Sequence, residues 1–159
     1  MVIGWYDLKT FLHYCNKDIT IIFCMSKEKI LLTSLTKFYS DPENADTLKS
    51  LLNKDNGISL RNIEWFVTNH SKNKKTTYKT SEGKDFVVHM AYKSSLDGYS
   101  KKLFDPFCRT ERICFRDMTT TVAQLNFIKW CIENDILQYI QNNKGDIFKK
   151  TTELPARSQ

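Results

Sequence analysis

The stretch from Val122 to about Gln141 limits this chain's possible folds more than any other. Val122, Leu125, Ile128, Ile132, Ile136 and Ile140 recur at helical spacing, and Phe127, Trp130 and Cys131 broaden that stripe past one face. A helix apolar over so wide an arc is packed on two sides. The spacing therefore predicts one long central helix over 119–142, introduced by Thr119, Thr120 and Thr121, with the rest of the chain arranged around it. Gly145 is its predicted stop. The segment 146–159, polar apart from Ile147, Phe148 and Leu154, reads as a C-terminal arm.

Helical signals dominate the first 71 residues. Leu8, Phe11, Leu12 and Cys15 share a face, Ile19 to Met25 reads as a short buried strand or the start of a helix, and Ser26 is a candidate cap. Ile30, Leu31, Leu35, Phe38 and Tyr39 then continue with helical spacing. Asp41-Pro42-Glu43 combines a capping carboxylate, a proline at the first helical position and an acid in the first turn, which predicts a helix start that Asp55-Asn56-Gly57 ends. Ser59 predicts the next start, with Leu60, Ile63, Phe66, Val67 and His70 on one side.

The pattern changes after His70. Thr76–Thr80 and Asp85–Tyr92 read as strands joined by a turn at Ser81-Glu82-Gly83-Lys84, with Phe86, Val88 and Met90 facing inward. Ser94–Gly98 reads as a loop, and Arg112–Arg116, alternating basic and apolar, as a third strand with one wet face. The expected architecture is α+β. It has a helical N-terminal half (1–71), a small antiparallel sheet within a basic middle part (72–118), and the long helix packed on that sheet, all in one domain over 1–145.

Charge is distributed unevenly. From Lys72 to Arg116 eleven Lys/Arg face five Asp/Glu, a surplus of six that equals the net +6 of the whole chain. A neutral scaffold with one basic segment points to an acidic or polyanionic partner there. The candidate partner-binding residues are Lys93, Tyr99, Lys101, Lys102, Phe104, Phe107, Arg109, Arg112 and Arg116, where cations alternate with aromatics. That alternation also suits nucleic acid, with lysines on phosphates and rings on bases, although no helix-turn-helix, zinc-finger or RNP-like pattern accompanies it. The ordinary reading of the same residues is a solvated sheet face.

Catalytic and cofactor signatures are not apparent. The three histidines and five cysteines are scattered without ligand spacing, which predicts no metal and no cofactor. There is no nucleophile elbow, phosphate loop or glycine-rich turn. The odd cysteine count without a CxxC, and opening residues that do not predict a signal peptide, point to a reducing compartment. No apolar run approaches the length of a membrane span. The chain reads as a non-enzyme.

Three stretches carry a resemblance: Ile63-Glu-Trp-Phe-Val-Thr-Asn-His-Ser71, Tyr92-Lys-Ser-Ser-Leu-Asp-Gly-Tyr-Ser-Lys-Lys-Leu-Phe-Asp-Pro-Phe-Cys-Arg109, and Thr120-Thr-Val-Ala-Gln-Leu-Asn-Phe-Ile-Lys-Trp-Cys-Ile-Glu-Asn-Asp135 continuing to Tyr139. Over about residues 60–139 the chain resembles a family of small proteins from nucleocytoplasmic large DNA viruses. The resemblance brings no catalytic motif. It implies a viral source and a virion component, with a late regulatory or genome-associated protein as another reading. Joined to the basic segment, it gives a minor capsid-associated protein contacting acidic surfaces of other viral structural proteins, located in the virion and, during assembly, in the host cytoplasm. The alternative is a basic nucleic-acid-binding accessory protein using segment 72–116.

Overall fold

The computed structural model describes residues 27–149 apart from residue 56. The expectations for Trp5–Cys15, Ile19–Met25 and the Ser26 cap lie outside the described residues. The architecture is α+β, as expected: helices throughout, with two small antiparallel hairpins in the middle.

Helix α1 covers 27–38 and leads into Tyr39, which is fully buried and donates its hydroxyl to Leu125 O at 2.7 Å. Helix α2 (Pro42–Asn53) starts as its sequence predicts. Asp41 accepts from the backbone N–H of Glu43 and Asn44, leaving Pro42 at the first helical position, and Lys54 closes the helix in the left-handed conformation. Helix α3 (Leu60–Trp65) begins with a reciprocal cap. The Ser59 hydroxyl accepts from Asn62 N, while the Asn62 side chain accepts from Ser59 N. The helix widens into a π-helical turn over Phe66–His70 and ends as α4 (Ser71–Lys74). Leu60, Ile63, Phe66 and Val67 bury the face that their spacing predicts.

The first hairpin pairs β1 (Thr77–Lys79) with β2 (Asp85–Val87), Tyr78 standing opposite Phe86. Gly83 lies at φ 77°, and Gly83 N donates to Thr80 O at 2.8 Å, so the turn needs the left-handed residue that only glycine supplies without strain. The expected strand does not run on to Tyr92. At Val88 the chain becomes helix α5 (Val88–Tyr99), which also takes in Ser94–Gly98, expected as a loop. Two periods coexist here. Phe86, Val88 and Met90 alternate, but Val88, Tyr92 and Leu96 recur every four residues. The helical set wins by packing: Val88 and Tyr92 are buried, whereas Met90, expected inside, is 67% exposed.

A short helix α6 (Lys101–Phe104) follows, then a loop, then a second hairpin of β3 (Ile113–Phe115) and β4 (Met118–Thr120), with Phe115 opposite Met118. The third strand is therefore real but does not join the first two. The expected single sheet is two separate hairpins.

The predicted long helix is divided. Helix α7 (Val122–Glu133), capped by Thr121, which accepts from Gln124 N, ends at Asn134. Asp135 turns the chain in the left-handed conformation, and α8 (Ile136–Ile147) leaves in a new direction, running through Gly145. Helix α7 has the central place that its wide apolar arc requires, with Val122, Ala123, Leu125, Phe127, Ile128, Trp130 and Cys131 buried. Trp130 meets Phe86 of β2, Tyr92 of α5 and Phe104 of α6 at ring separations of 5.5–6.1 Å. The tail differs from expectation in one respect. Ile147 is buried and Phe148 packs 6.1 Å from Trp65, so Asp146–Phe148 belong to the packed body rather than to an arm.

Candidate interaction surface

The basic segment does not act as one block. On the first hairpin Lys79 lies 3.6 Å from Asp85 and Lys84 lies 2.7 Å from Glu82, so both of its lysines face its own acids. From Lys93 to Arg116 no such pairing occurs. Six cations stand against three acids, and none of the six forms an ion pair with a described residue. One of those acids, Asp105, is occupied locally, accepting from Phe107 N at 2.9 Å and organising the turn at Pro106.

Of the nine candidates from sequence, eight have exposed side chains: Lys93, Tyr99, Lys101, Lys102, Phe107, Arg109, Arg112 and Arg116. Phe104 is the correction. It is fully buried beneath Tyr99, Tyr92, Phe127 and Trp130 and offers nothing to a partner. Its spacing within Lys-Lys-Leu-Phe looks like that of its exposed neighbours, and only packing distinguishes it. Tyr99 stacks on its outer side at 5.8 Å while remaining 41% exposed.

Two hollows bring part of the set together. One, about 230 Å³, is lined by Phe107, Arg109 and Arg112 with Thr110, Thr121 and Gln124. The other, about 250 Å³, places Lys102 and Arg109 beside Glu28 and Glu111, so acids interrupt the surface there. Lys93, Tyr99, Lys101 and Arg116 line neither hollow. Arg116 occupies the tip of the second hairpin at φ 48°, followed by Asp117 at φ 63°.

Helix α7 holds this loop in place with polar groups placed inside its apolar arc. Buried Asn126 donates to Leu103 O at 2.8 Å, and Gln124 donates to Pro106 O at 3.2 Å while accepting from the Thr120 hydroxyl at 2.8 Å. These bonds satisfy the end of α6 and the turn that follows it, where unmet backbone carbonyls would be costly. Sequence reasoning missed both residues. An Asn and a Gln interrupting a wide apolar stripe are the signal that could have found them, since a buried amide needs a partner.

The surface extends beyond the basic segment to two further residues that the sequence did not single out. The Arg61 guanidinium lies over the Phe107 ring, 5.1 Å from its centre. Arg61 and Trp65, one turn apart on α3, also line a larger hollow of about 590 Å³ with Glu64, Ile147, Phe148 and Lys149. Burial raises the Glu64 carboxyl above its ordinary range. Burial likewise pushes the Tyr92 phenol up to about 12, with the charges of Asp105 and Glu64 adding to the shift. Arg61 thus links the two hollows. Trp65 and Phe107, 42% and 43% exposed, each adjoin arginines: Trp65 shares its hollow with Arg61, and Phe107, beneath Arg61, shares its hollow with Arg109 and Arg112.

A model of a family of unknown function, DUF7197, matches residues 13–156. This chain belongs to that family. A relative from Acanthamoeba polyphaga mimivirus, "Uncharacterized protein L507", is 36% identical over 129 residues, which cover 72% of this chain and 50% of the relative. The chain thus spans about half the length of the curated relative it matches. No solved structure matches. A viral relative for this DUF7197 chain agrees with the resemblance to proteins of large DNA viruses carried by residues 60–139.

Proposed function

We propose that this DUF7197 chain is a non-enzymatic protein–protein interaction component, a minor capsid-associated protein that contacts acidic surfaces of neighbouring viral structural proteins. The observation that carries the reading is the set of Trp65, Arg61, Phe107, Arg109 and Arg112: exposed aromatics and arginines, of which Arg109 and Arg112 form no ion pair with a described residue, while Arg61 lies near Glu64. Trp and Arg dominate the energetics of protein interfaces, and an unpaired positive surface steers an acidic partner into register. The viral relative supports a viral origin; the virion, and the host cytoplasm during assembly, are the setting this reading adds. Reversing Lys101, Lys102 and Arg109 to Glu tests it. Exposed charges contribute little to stability, so the variant should keep its melting temperature and be lost from particles. Normal incorporation into nuclease-treated particles would overturn the reading.

One feature favours a second reading. Tyr99 is 41% exposed beside Lys101 and Lys102, an aromatic platform next to cations of the kind that binds single strands. Nonspecific binding by such a surface is weak, about 10⁻⁴–10⁻⁶ M, and falls steeply with salt. Submicromolar binding to single-stranded DNA or RNA that persists at physiological salt and is lost in the charge-reversal variant would replace the protein partner with nucleic acid.

A further inference from the structure

The hollow at Arg109 and Arg112 has three properties that occur together nowhere else on the described surface considered above. No acid lines it. Both guanidiniums lack an ion-pair partner among the described residues. The third property is an unmet donor: the Thr110 hydroxyl is buried and makes no hydrogen bond to any described residue, and Thr110 stands in the wall between this hollow and the one that holds Glu28 and Glu111. Buried hydroxyls almost always have a partner, and one without calls for an explanation. The other wall is rigid. Gln124 is held through its own N–H by Thr121 and through both ends of its side-chain amide by Thr120 and Pro106.

Two planar forks and a hydroxyl beside an aromatic wall match the needs of an oxyanion. Guanidinium pairs carboxylate and phosphate oxygens bidentately, and hydrogen bonds to an ionised acceptor are about twice as strong as neutral ones. The volume, about 230 Å³, is below the roughly 300–1,000 Å³ typical of small-molecule sites, which suits one side-chain head group rather than a metabolite. We propose that this hollow is an oxyanion site that receives a single carboxylate from the acidic partner protein, held by Arg109, Arg112 and the Thr110 hydroxyl. The proposal rests on the protein-partner reading above and specifies the chemistry of its contact. Carboxylate is favoured over phosphate because Phe107 and the neighbouring Trp65 hollow supply apolar surface alongside the cations, as a protein interface requires.

The test uses the full chain, labelled with ¹⁵N, titrated separately with a hexaglutamate peptide, inorganic phosphate and a short single-stranded DNA. The expected result is saturable peptide shifts at the amides of residues 107–112 and 121–124. They should weaken at least about tenfold in R109Q/R112Q, equivalent to roughly 1.4 kcal/mol. Thr110→Val distinguishes a ligand-binding role from a structural one. Removing an unmet buried hydroxyl should leave the melting temperature unchanged or higher while weakening the peptide, whereas a lower melting temperature with unchanged binding would overturn the role given to Thr110. Peptide shifts spread evenly over all exposed lysines, or insensitive to R109Q/R112Q, would overturn the site. Tighter binding of the DNA through the same amides would overturn the carboxylate assignment. Particle incorporation separates the two proposals. If R109Q/R112Q abolishes peptide binding yet enters particles normally, the hollow stands as an oxyanion site and the assembly reading falls. If charge reversal blocks incorporation while peptide binding ignores R109Q/R112Q, the assembly reading stands and the hollow falls.

Discussion

The two hairpins are built from similar residues and behave differently. The first is fastened to the corner between α7 and α8. Tyr78 donates to Asn134 O at 2.5 Å and stacks on Tyr139 at 4.6 Å, Asp135 accepts from Ser81 N at 2.7 Å, and Phe86 meets Trp130 at 6.0 Å. Its lysines are matched by its own acids. The second is held by Phe115, 5.8 Å from Tyr39, and by buried Thr120, whose hydroxyl donates to the Gln124 side chain, and it presents Arg112 and Arg116 without ion-pair partners among the described residues. A count of positive charges does not separate these regions. What separates them is whether each charge is already neutralised by its own neighbours, since a paired cation has little left to offer a partner.

The largest effect bearing on this comparison is expected beneath the first hairpin. Trp130→Ala removes the ring on which Phe86, Tyr92 and Phe104 converge, and should lower unfolding stability by about 3–5 kcal/mol in denaturant titration. Phe107→Ala, at an exposed site, should change it little. If the tryptophan variant folds normally but fails to assemble, Trp130 is an interface anchor, and the contrast between an anchored hairpin and a presented surface breaks.

A smaller effect concerns the fastening itself. Tyr78→Phe deletes the bond to Asn134 O and should cost about 1 kcal/mol. Burial raises the Tyr78 phenol above its ordinary value of 10, so the unfolded chain ionises first as pH rises. The stability from the neutral phenol is intact below pH 10 and declines above it. The Phe variant should therefore lose less melting temperature on the alkaline side than the parent. Equal losses would show that this tyrosine is not the one being titrated.

The second hairpin offers a stabilising change of similar or smaller size. Arg116 and Asp117 both hold positive φ in a two-residue turn, where Asn-Gly is favoured. Replacing them with Asn and Gly relieves left-handed strain of about 1–2 kcal/mol per residue, against roughly 0.5–1 kcal/mol of added unfolded-state freedom at the glycine, so stability should rise by about 1 kcal/mol. No gain in thermal unfolding would mean that the turn is unstrained. The smallest effect sharpens the comparison most. Lys79→Glu with Lys84→Glu should leave particle incorporation unchanged, unlike the triple reversal at Lys101, Lys102 and Arg109. Equal loss from both would show that net charge alone governs the contact.

Much of this molecule is written locally. Asp41-Pro42, Ser59 and Thr121 start helices where their side chains can meet the first free N–H groups, and the apolar repeat around Trp130 marks α7 as central. Part of the candidate surface was legible in the same way, as cations and rings along residues 93–116. Its Arg61 and Trp65 contribution was not, because α3 is distant in sequence and adjoins the loop only in the fold. Phe104 failed for a related reason: a ring within Lys-Lys-Leu-Phe can point either way, and Trp130 and Phe127 draw it inward.

The sequence by itself determined that this chain has capped helices, a central apolar helix and one basic segment, because caps, periodicity and composition act over a few residues. Tertiary structure decided where the central helix breaks and which charges remain unpaired. The break at Asn134–Asp135 lies inside an unbroken apolar stripe, and its partners, the Tyr78 hydroxyl and Ser81 N, come from 56 and 54 residues away. A left-handed Asp135 carries strain; besides its local backbone bonds to Ile132 and Tyr139, its carboxylate is held by Ser81 N, a bond that exists only once the first hairpin has docked. No local pattern can encode a contact whose other half lies across the fold.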